Sequence, residues 1–283
     1  NRGQGYRIMA LSKVVQMGIT TLAYVAFGFF GMNFLGFVLG DIFGLLVTAV
    51  LLIYKGKGQK NWMWLWPGWS AVKEQAVRYR RFPLFSMQAN LINMLSNQAP
   101  VLLMTKFFGP AVVGFFNLSQ KVLGAPLAVF SKAVSDVFRE RASREYREKG
   151  NCRPTYLRTM KSLTAIGFLP FLLLFFLAPS LFSFLFGSSW VKAGEYTRIL
   201  AMMYFFRFIA SPLSFMFYIA EKQSLDLLWQ IALFVVTVSS ILVGYWQRSP
   251  EISLWCFSIA YSVMYLIYLK FSSKLAQGTS RGQ

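Results

Sequence analysis

The stretch MMYFFRFIASPLSFMFYIAEKQ, residues 202–223, decides how the chain is read. Its length and apolar character suit a membrane helix, yet Arg207 stands inside it and Pro212 follows five residues later. About 20 apolar residues match the thickness of a hydrocarbon core, whereas a guanidinium at that depth must face protein or water. The stretch therefore predicts a spanning helix with one face turned away from lipid.

The rest of the chain agrees with lipid as its solvent. The 283 residues are 56% hydrophobic and 18% aromatic, and only 14% are charged, against about 25% in soluble domains. The apolar runs are continuous rather than alternating, which excludes a β-barrel and predicts an all-α polytopic transmembrane bundle. Eight spans are predicted: 8–30, 33–54, 85–108, 111–138, 157–176, 196–220, 225–246 and 252–270.

Charge orients these spans. The net charge is +19, from 29 Lys+Arg against 10 Asp+Glu. If the chain alternates across the membrane, 21 of the 29 cations fall on one side, four on the other and four inside spans (Lys13, Lys121, Lys132 and Arg207). The rich side is predicted to be cytoplasmic, and it receives the C-terminus. The basic balance is thereby assigned to membrane orientation, and no nucleic-acid partner is expected. Two long basic connections, 55–82 and 139–161, lie on that side. The first contains NWMWLWPGW, residues 61–69, whose tryptophans suit the headgroup region. The predicted organisation is two helices in 1–54, a cytoplasmic loop in 55–82, a six-helix lobe in 83–275 and a cytoplasmic tail in 276–283. The opening NRGQGYRIMA has neither an initiator methionine nor a signal pattern and reads as the start of an N-terminally truncated fragment.

Several spans carry a polar stripe. Ser86, Asn90, Asn93 and Asn97 recur at helical spacing, with Gln98 beside them; Asn117 and Lys121 begin a second series; Arg207, Ser211, Ser214 and Tyr218 form a third. Ser258, Ser262, Tyr265 and Tyr268 form a fourth. Such faces must meet other helices or water, so they read either as interhelical hydrogen bonding or as the wall of a hydrated cavity. Arg207 and Lys121 are placed near the midplane, Arg207 roughly 16–18 Å from the outer end of its span. Asp41, Asp136 and Glu195 are the carboxylates that could pair with them; otherwise a cation awaits an anionic ligand, for which the Arg fork suits phosphate. Pro212 removes a backbone hydrogen bond and predicts a kink, with a carbonyl near Ser211 released.

Enzyme chemistry has little to draw on. There is no P-loop, no G-x-S-x-G, no H-E-x-x-H and no histidine, and Cys152 and Cys256 are not expected to pair. The protein is expected not to be an enzyme and to need neither metal nor cofactor.

The segment RFPLFSMQANLINMLSNQAPVLLMTKFFGPAVVGFFNLSQKVLGAPLAVFSKAVSDVFRERA, residues 81–142, resembles the start of the second helix bundle in bacterial polysaccharide-export flippases. GSSWVKAGEYTRILAMMYFFRFIASPLSFMFYIAEKQ, residues 187–223, resembles a later helix of the same family, within the multidrug/oligosaccharidyl-lipid/polysaccharide exporter superfamily. The resemblance implies two six-helix lobes around a central cavity, working by alternating access in the bacterial inner membrane. Here the last two helices of the first lobe and the whole second lobe would be present. It implies an undecaprenyl-pyrophosphate-linked oligosaccharide as substrate, for O-antigen, capsule or exopolysaccharide synthesis, with membrane lipids and the pathway's polymerase and chain-length proteins as partners. It assigns the pyrophosphate to Arg207 and Lys121. Asn90, Asn93, Asn97, Gln98, Asn117, Ser211 and Ser214 are expected to line the glycan cavity. Asp41 and Asp136 are left as ion-coupling or ion-pairing residues. Two other readings stay open: a cation-coupled drug or metabolite antiporter of the same superfamily, and a non-transporting membrane scaffold.

Overall fold

A computed structural model describes residues 5–29, 31, 33–56, 69–70, 73–74 and 85–278. Among them there is helix and no strand, as the continuous apolar runs require. The chain forms two compact units, Asn1–Lys73 and Glu74–Gln283.

The first unit is a hairpin of α1 (Gly5–Phe29) and α2 (Asn33–Gly56). Gly40 and Gly44 set the approach of the two helices. A Cβ on Gly40 would meet the Tyr24 ring at 2.6 Å, and one on Gly44 would overlap the Thr20 hydroxyl. Small residues four apart bring membrane helices into close contact in this way. Asp41 is exposed on α2, and the Tyr24 hydroxyl donates to its Oδ1 at 2.6 Å. Most of the basic connection 55–82, including Trp62, Trp64 and Trp66, lies outside the described residues; Trp69 is exposed.

The second unit contains α3 (Met87–Phe108), α4 (Pro110–Pro126), a π-helical turn (Leu127–Ser131), α5 (Lys132–Lys149), α6 (Arg153–Phe186), α7 (Val191–Leu213), a short α8 (Met216–Ile219), α9 (Gln223–Trp246) and α10 (Pro250–Ala276). The segments 153–186, 188–219, 223–246 and 250–276 are each long and apolar enough to cross a bilayer. Their outer faces carry exposed apolar side chains, such as Leu169 at 60%, Phe176 at 67% and Phe184 at 86% on α6. An apolar surface of that extent is rare in water and ordinary in lipid.

The centre of this unit is α7, which packs against α4, α6 and α10 and buries 14 of its 23 residues. Gly194 lets α7 lie against the Pro179 turn of α6, where an added Cβ would stand 2.5 Å from Pro179 Cα and 2.7 Å from the Ala178 carbonyl. Hydroxyls tie the same helices together. Ser119 donates to the Ala193 carbonyl at 2.7 Å, and Ser258 donates to the Ile199 carbonyl at 2.7 Å. The Thr237 and Tyr261 hydroxyls meet at 2.7 Å.

The second basic connection is not a loop. Residues 139–161 are helical except at Gly150–Cys152, because α5 continues beyond the expected span to Lys149 and α6 begins at Arg153. Glu140–Arg144 and Glu145–Lys149 pairs support the polar extension of α5. Gly150, at φ 72°, ends it as a left-handed cap donating to Tyr146 O. The Cys152 N–H then donates to the Ala276 carbonyl at 2.8 Å, and Arg139 lies 5.1 Å from the Phe215 ring centre. The basic ends of α5, α6 and α10 and the α7–α8 turn therefore gather at one end of this unit. Both cysteines are free. The Cys152 thiol is buried against Met216 Sδ, and burial, aided by the negative charge of Glu145, pushes its pKa up to about 12.

Candidate functional site

Arg207 stands on α7, five residues before Pro212. Because α7 starts at Val191, earlier than the predicted span, Arg207 lies about 24 Å from that helix start and nearer the basic end than the sequence indicates. Pro212, lacking an N–H, leaves the carbonyl four residues back, at Phe208, without its helical donor, and the regular helix ends at Leu213; Ser211 is not the carbonyl so released. Its carbonyl accepts from Ser214 N–H at 3.4 Å and from Ser214 Oγ at 2.8 Å.

The guanidinium is held by an amide. Arg207 Nη2 donates to Asn97 Oδ1 at 2.9 Å, and its Cζ sits 5.7 Å from the Tyr204 ring centre. Among the described residues no carboxylate stands within ion-pairing distance of it. Glu195, one candidate partner, is taken: Lys192 bridges it at 2.9 Å and Glu251 at 2.9 Å. Asp41 belongs to the first unit, and Asp136 is exposed on α5.

From Asn97 a relay of amides crosses α3 to α9. Asn97 Nδ2 donates to Asn93 O at 2.8 Å and to Asn93 Oδ1 at 3.1 Å, and Asn93 Nδ2 donates to Gln230 Oε1 at 3.0 Å. Asp226 lies one turn before Gln230 on α9 and lines the same cleft, and Tyr268 donates to Asp226 Oδ1 at 3.5 Å. These groups surround a polar cleft of about 220 Å³. Asn90, Asn93, Arg207, Ser211 and Ser214 form part of its wall, together with Tyr218 and Asp226. An aromatic side is added by Trp229, Tyr265 and Tyr268, whose rings pack on one another at 5.7 and 4.4 Å from Trp229.

The structure thus brings together five of the predicted residues in the wall and Asn97 behind Arg207. Three others lie elsewhere. Lys121 and Gln98 are exposed, and Asn117 is half-buried; none lines this cleft. On α4 the buried positions are Val113, Phe116, Ser119 and Leu123, so the polar series begun at Asn117 and Lys121 does not face α7; Ser119 does. The Lys132 side chain lies outside the described residues. The fourth stripe divides: Ser258 and Ser262 bond helix carbonyls, whereas Tyr265 and Tyr268 reach the cleft. Asp226, Trp229 and Gln230 were not among the expected site residues, although their i, i+3, i+4 spacing on an otherwise apolar span marks one face. Among the described residues, no group of three or more His, Cys, Asp or Glu could hold a metal ion.

A helical membrane bundle with one such cleft is compatible with many activities. Residues 1–195 match the profile of a family described as polysaccharide biosynthesis protein. The chain belongs to that family. It is a multi-pass membrane protein of polysaccharide biosynthesis. It is also similar, at 21% identity over 275 residues, to the teichuronic acid biosynthesis protein TuaB of Bacillus subtilis (strain 168). That alignment covers 94% of the chain and 56% of TuaB, so the chain spans little more than half the length of this curated relative. No solved structure matches the chain.

Proposed function

We propose that the chain is part of a flippase that moves undecaprenyl-pyrophosphate-linked oligosaccharide units across the bacterial inner membrane by alternating access, without catalysing a reaction. The observation that carries this reading is Arg207: a cation within an apolar helix, held by the Asn97 amide instead of a carboxylate, at the wall of a polar cleft. A positive charge so placed is stabilised by an arriving anion, and the guanidinium fork fits a diphosphate. The polyprenyl tail would remain against the exposed apolar faces. The family and the relative's description as a teichuronic acid biosynthesis protein support a glycan cargo. The gathering of basic helix ends supports a cytoplasmic C-terminus.

Asp226 sustains a second reading, a cation-coupled antiporter, because a buried carboxylate in the same cleft is suited to a proton or a cation. It has a stronger claim to coupling than Asp41, which Tyr24 occupies, or the exposed Asp136. The discriminating experiment reconstitutes the full-length protein in proteoliposomes carrying a labelled polyprenyl-diphosphate oligosaccharide in one leaflet. Wild type is expected to move the lipid and Arg207→Ala, at matched abundance, to lose most of that activity. Normal movement by Arg207→Ala would remove the diphosphate role. Absence of movement by wild type under any ion gradient, with gradient-driven export of an organic cation that fails in Asp226→Asn, would establish the antiporter.

A further inference from the structure

A second groove opens between α5 and α6 and shares no residue with the Arg207 cleft. It holds about 350 Å³, within the roughly 300–1,000 Å³ of ligand-binding cavities. Val134, Val137, Phe138 and Arg141 recur at helical spacing along its α5 wall. Thr155, Arg158 and Thr159 form its α6 wall. Counted from the Gly150–Cys152 turn, Arg141 and Arg158 stand about 12 and 8 Å along their helices, and Val134 about 22 Å. The groove is therefore amphiphilic, with two guanidiniums at its mouth and apolar side chains deeper.

Its depth matches the membrane surface. On α6, residues 162–186 carry no charge, and Arg158 lies four residues outside that run. Four residues are about 6 Å of helix, and the headgroup layer on each side of a bilayer is roughly 5–8 Å thick. Among the described residues neither arginine has a carboxylate within ion-pairing distance, whereas their neighbours do: Arg144 pairs with Glu140 and Lys149 with Glu145. Glu145, the acid bonded by the Thr155 hydroxyl, lies one helical turn closer to the end of α5 than Arg141. Membrane orientation asks only for cations on this side. It does not require two of them to converge on an apolar groove that no acid lines. Basic pockets between membrane helices bind anionic headgroups, and the Arg fork suits phosphate oxygens.

The threonines narrow the choice of headgroup. Thr155 Oγ1 donates to Glu145, and Thr159 Oγ1 donates to the Thr155 carbonyl at 2.9 Å. Each hydroxyl has spent its proton and offers only lone pairs. These accept from a headgroup hydroxyl and have nothing to give a phosphate oxygen. An ethanolamine ammonium could donate to them, but it would stand beside two guanidiniums. A phosphodiester at the arginines, a glycerol headgroup at the threonines and acyl chains along Val134, Val137 and Phe138 meet every condition.

We propose that the α5–α6 groove is a binding site for an anionic glycerophospholipid of the surrounding bilayer, with phosphatidylglycerol chemistry. The site is separate from the Arg207 cleft and does not depend on what the protein carries.

The test titrates phosphatidylglycerol and phosphatidylethanolamine separately into the full-length protein in detergent micelles and counts bound lipid by native mass spectrometry. Wild type is expected to bind a first phosphatidylglycerol about tenfold tighter than phosphatidylethanolamine. Arg141→Gln with Arg158→Gln should weaken phosphatidylglycerol about thirtyfold, the combined effect of two cations near a membrane surface, and abolish the preference. Arg144→Gln with Arg147→Gln removes the same charge from α5 outside the groove and should change binding by no more than about twofold. Thr159→Val keeps the shape without the lone pairs and should cost phosphatidylglycerol about fivefold. Equal affinity of wild type for the two lipids, or no binding of either, would overturn the site. Equal losses in the two double variants would replace it with general surface charge. Displacement of bound phosphatidylglycerol by a lower concentration of farnesyl diphosphate would refute the bilayer lipid and make the groove a prenyl-diphosphate site.

Discussion

Replacing Arg207 by methionine separates a cation kept for a ligand from one kept for the fold. Methionine preserves an unbranched side chain and removes the charge. The ligand-free protein loses the 2.9 Å hydrogen bond to Asn97, worth about 1.5–3 kcal/mol for a charged donor. It also loses the contact with the Tyr204 ring at 5.7 Å, worth about 0.5–2 kcal/mol. Against these stands release from holding a partly buried cation without a carboxylate, a penalty of several kcal/mol. The opposing effects are of similar size, so the net change should stay within about 2 kcal/mol, or about 4 °C in Tm for a chain of this length. The ligand-bound states should differ more. A diphosphate lipid at a hundred times its Kd stabilises the wild type by about 2.7 kcal/mol, which is about 5 °C, and should not stabilise Arg207→Met. Thermal unfolding of the full-length protein in nanodiscs, with farnesyl diphosphate titrated, reads both quantities. Arg207→Lys, which keeps charge without the fork, should fall between the two. The reasoning fails if Arg207→Met melts more than about 10 °C lower without ligand while farnesyl diphosphate shifts both proteins equally.

Cys152 should resist thiol reagents at pH 8 in the folded protein and react at once on unfolding. Its folded pKa of about 12 lies above the ordinary 9.0, so between those values the native state holds the proton that the unfolded chain releases. Stability should therefore fall as pH rises from about 9 towards 12, and Cys152→Ala should flatten that decline in pH-dependent melting curves. Gly194→Val forces side-chain atoms onto the Pro179 backbone, 2.5 Å from where its Cβ would be. It should cost about 1–3 kcal/mol, while Gly124→Ala, with nothing within 4 Å, should melt like wild type. Lys192→Met breaks the bridge from α7 to Glu251 on α10. With about 43% of the Lys192 side chain exposed, the loss should be below about 1 kcal/mol and should vanish at high salt when unfolding is compared at two ionic strengths.

The helices were legible because their signals are local. A run of apolar residues is a membrane span whatever surrounds it, and a span contains all its own backbone hydrogen bonds. Arg207 was legible for the same reason, since a guanidinium in such a run conflicts with its neighbours on the chain. The Asn90–Asn93–Asn97 face was visible as a period, and it does meet α9 and Arg207. That the 139–161 connection is mostly helical was not legible, because polar helices that leave the membrane lose the apolar signal while keeping their helical hydrogen bonds. Asp226 was overlooked for a related reason: at the mouth of a span, three residues beyond Gln223, an acid looks like an ordinary end-of-helix charge. Only its burial to 6% exposure distinguishes it.

By itself, then, the order of residues determined that this protein is a bundle of membrane helices, which of their faces are polar, and that one cation lies within an apolar run. Those properties depend on spacing along a single helix and on transfer from water to hydrocarbon. Which polar faces meet was decided by packing. The same periodicity serves Ser258, spent on the Ile199 carbonyl, and Tyr265, open to the cleft. Lys121 and Arg207 are both cations in apolar helices, yet one ends exposed on α4 and the other beside Asn97. Period places a residue on a face, but the angle at which α3, α7, α9 and α10 pack decides whether that face closes on a carbonyl, on lipid or around a cavity.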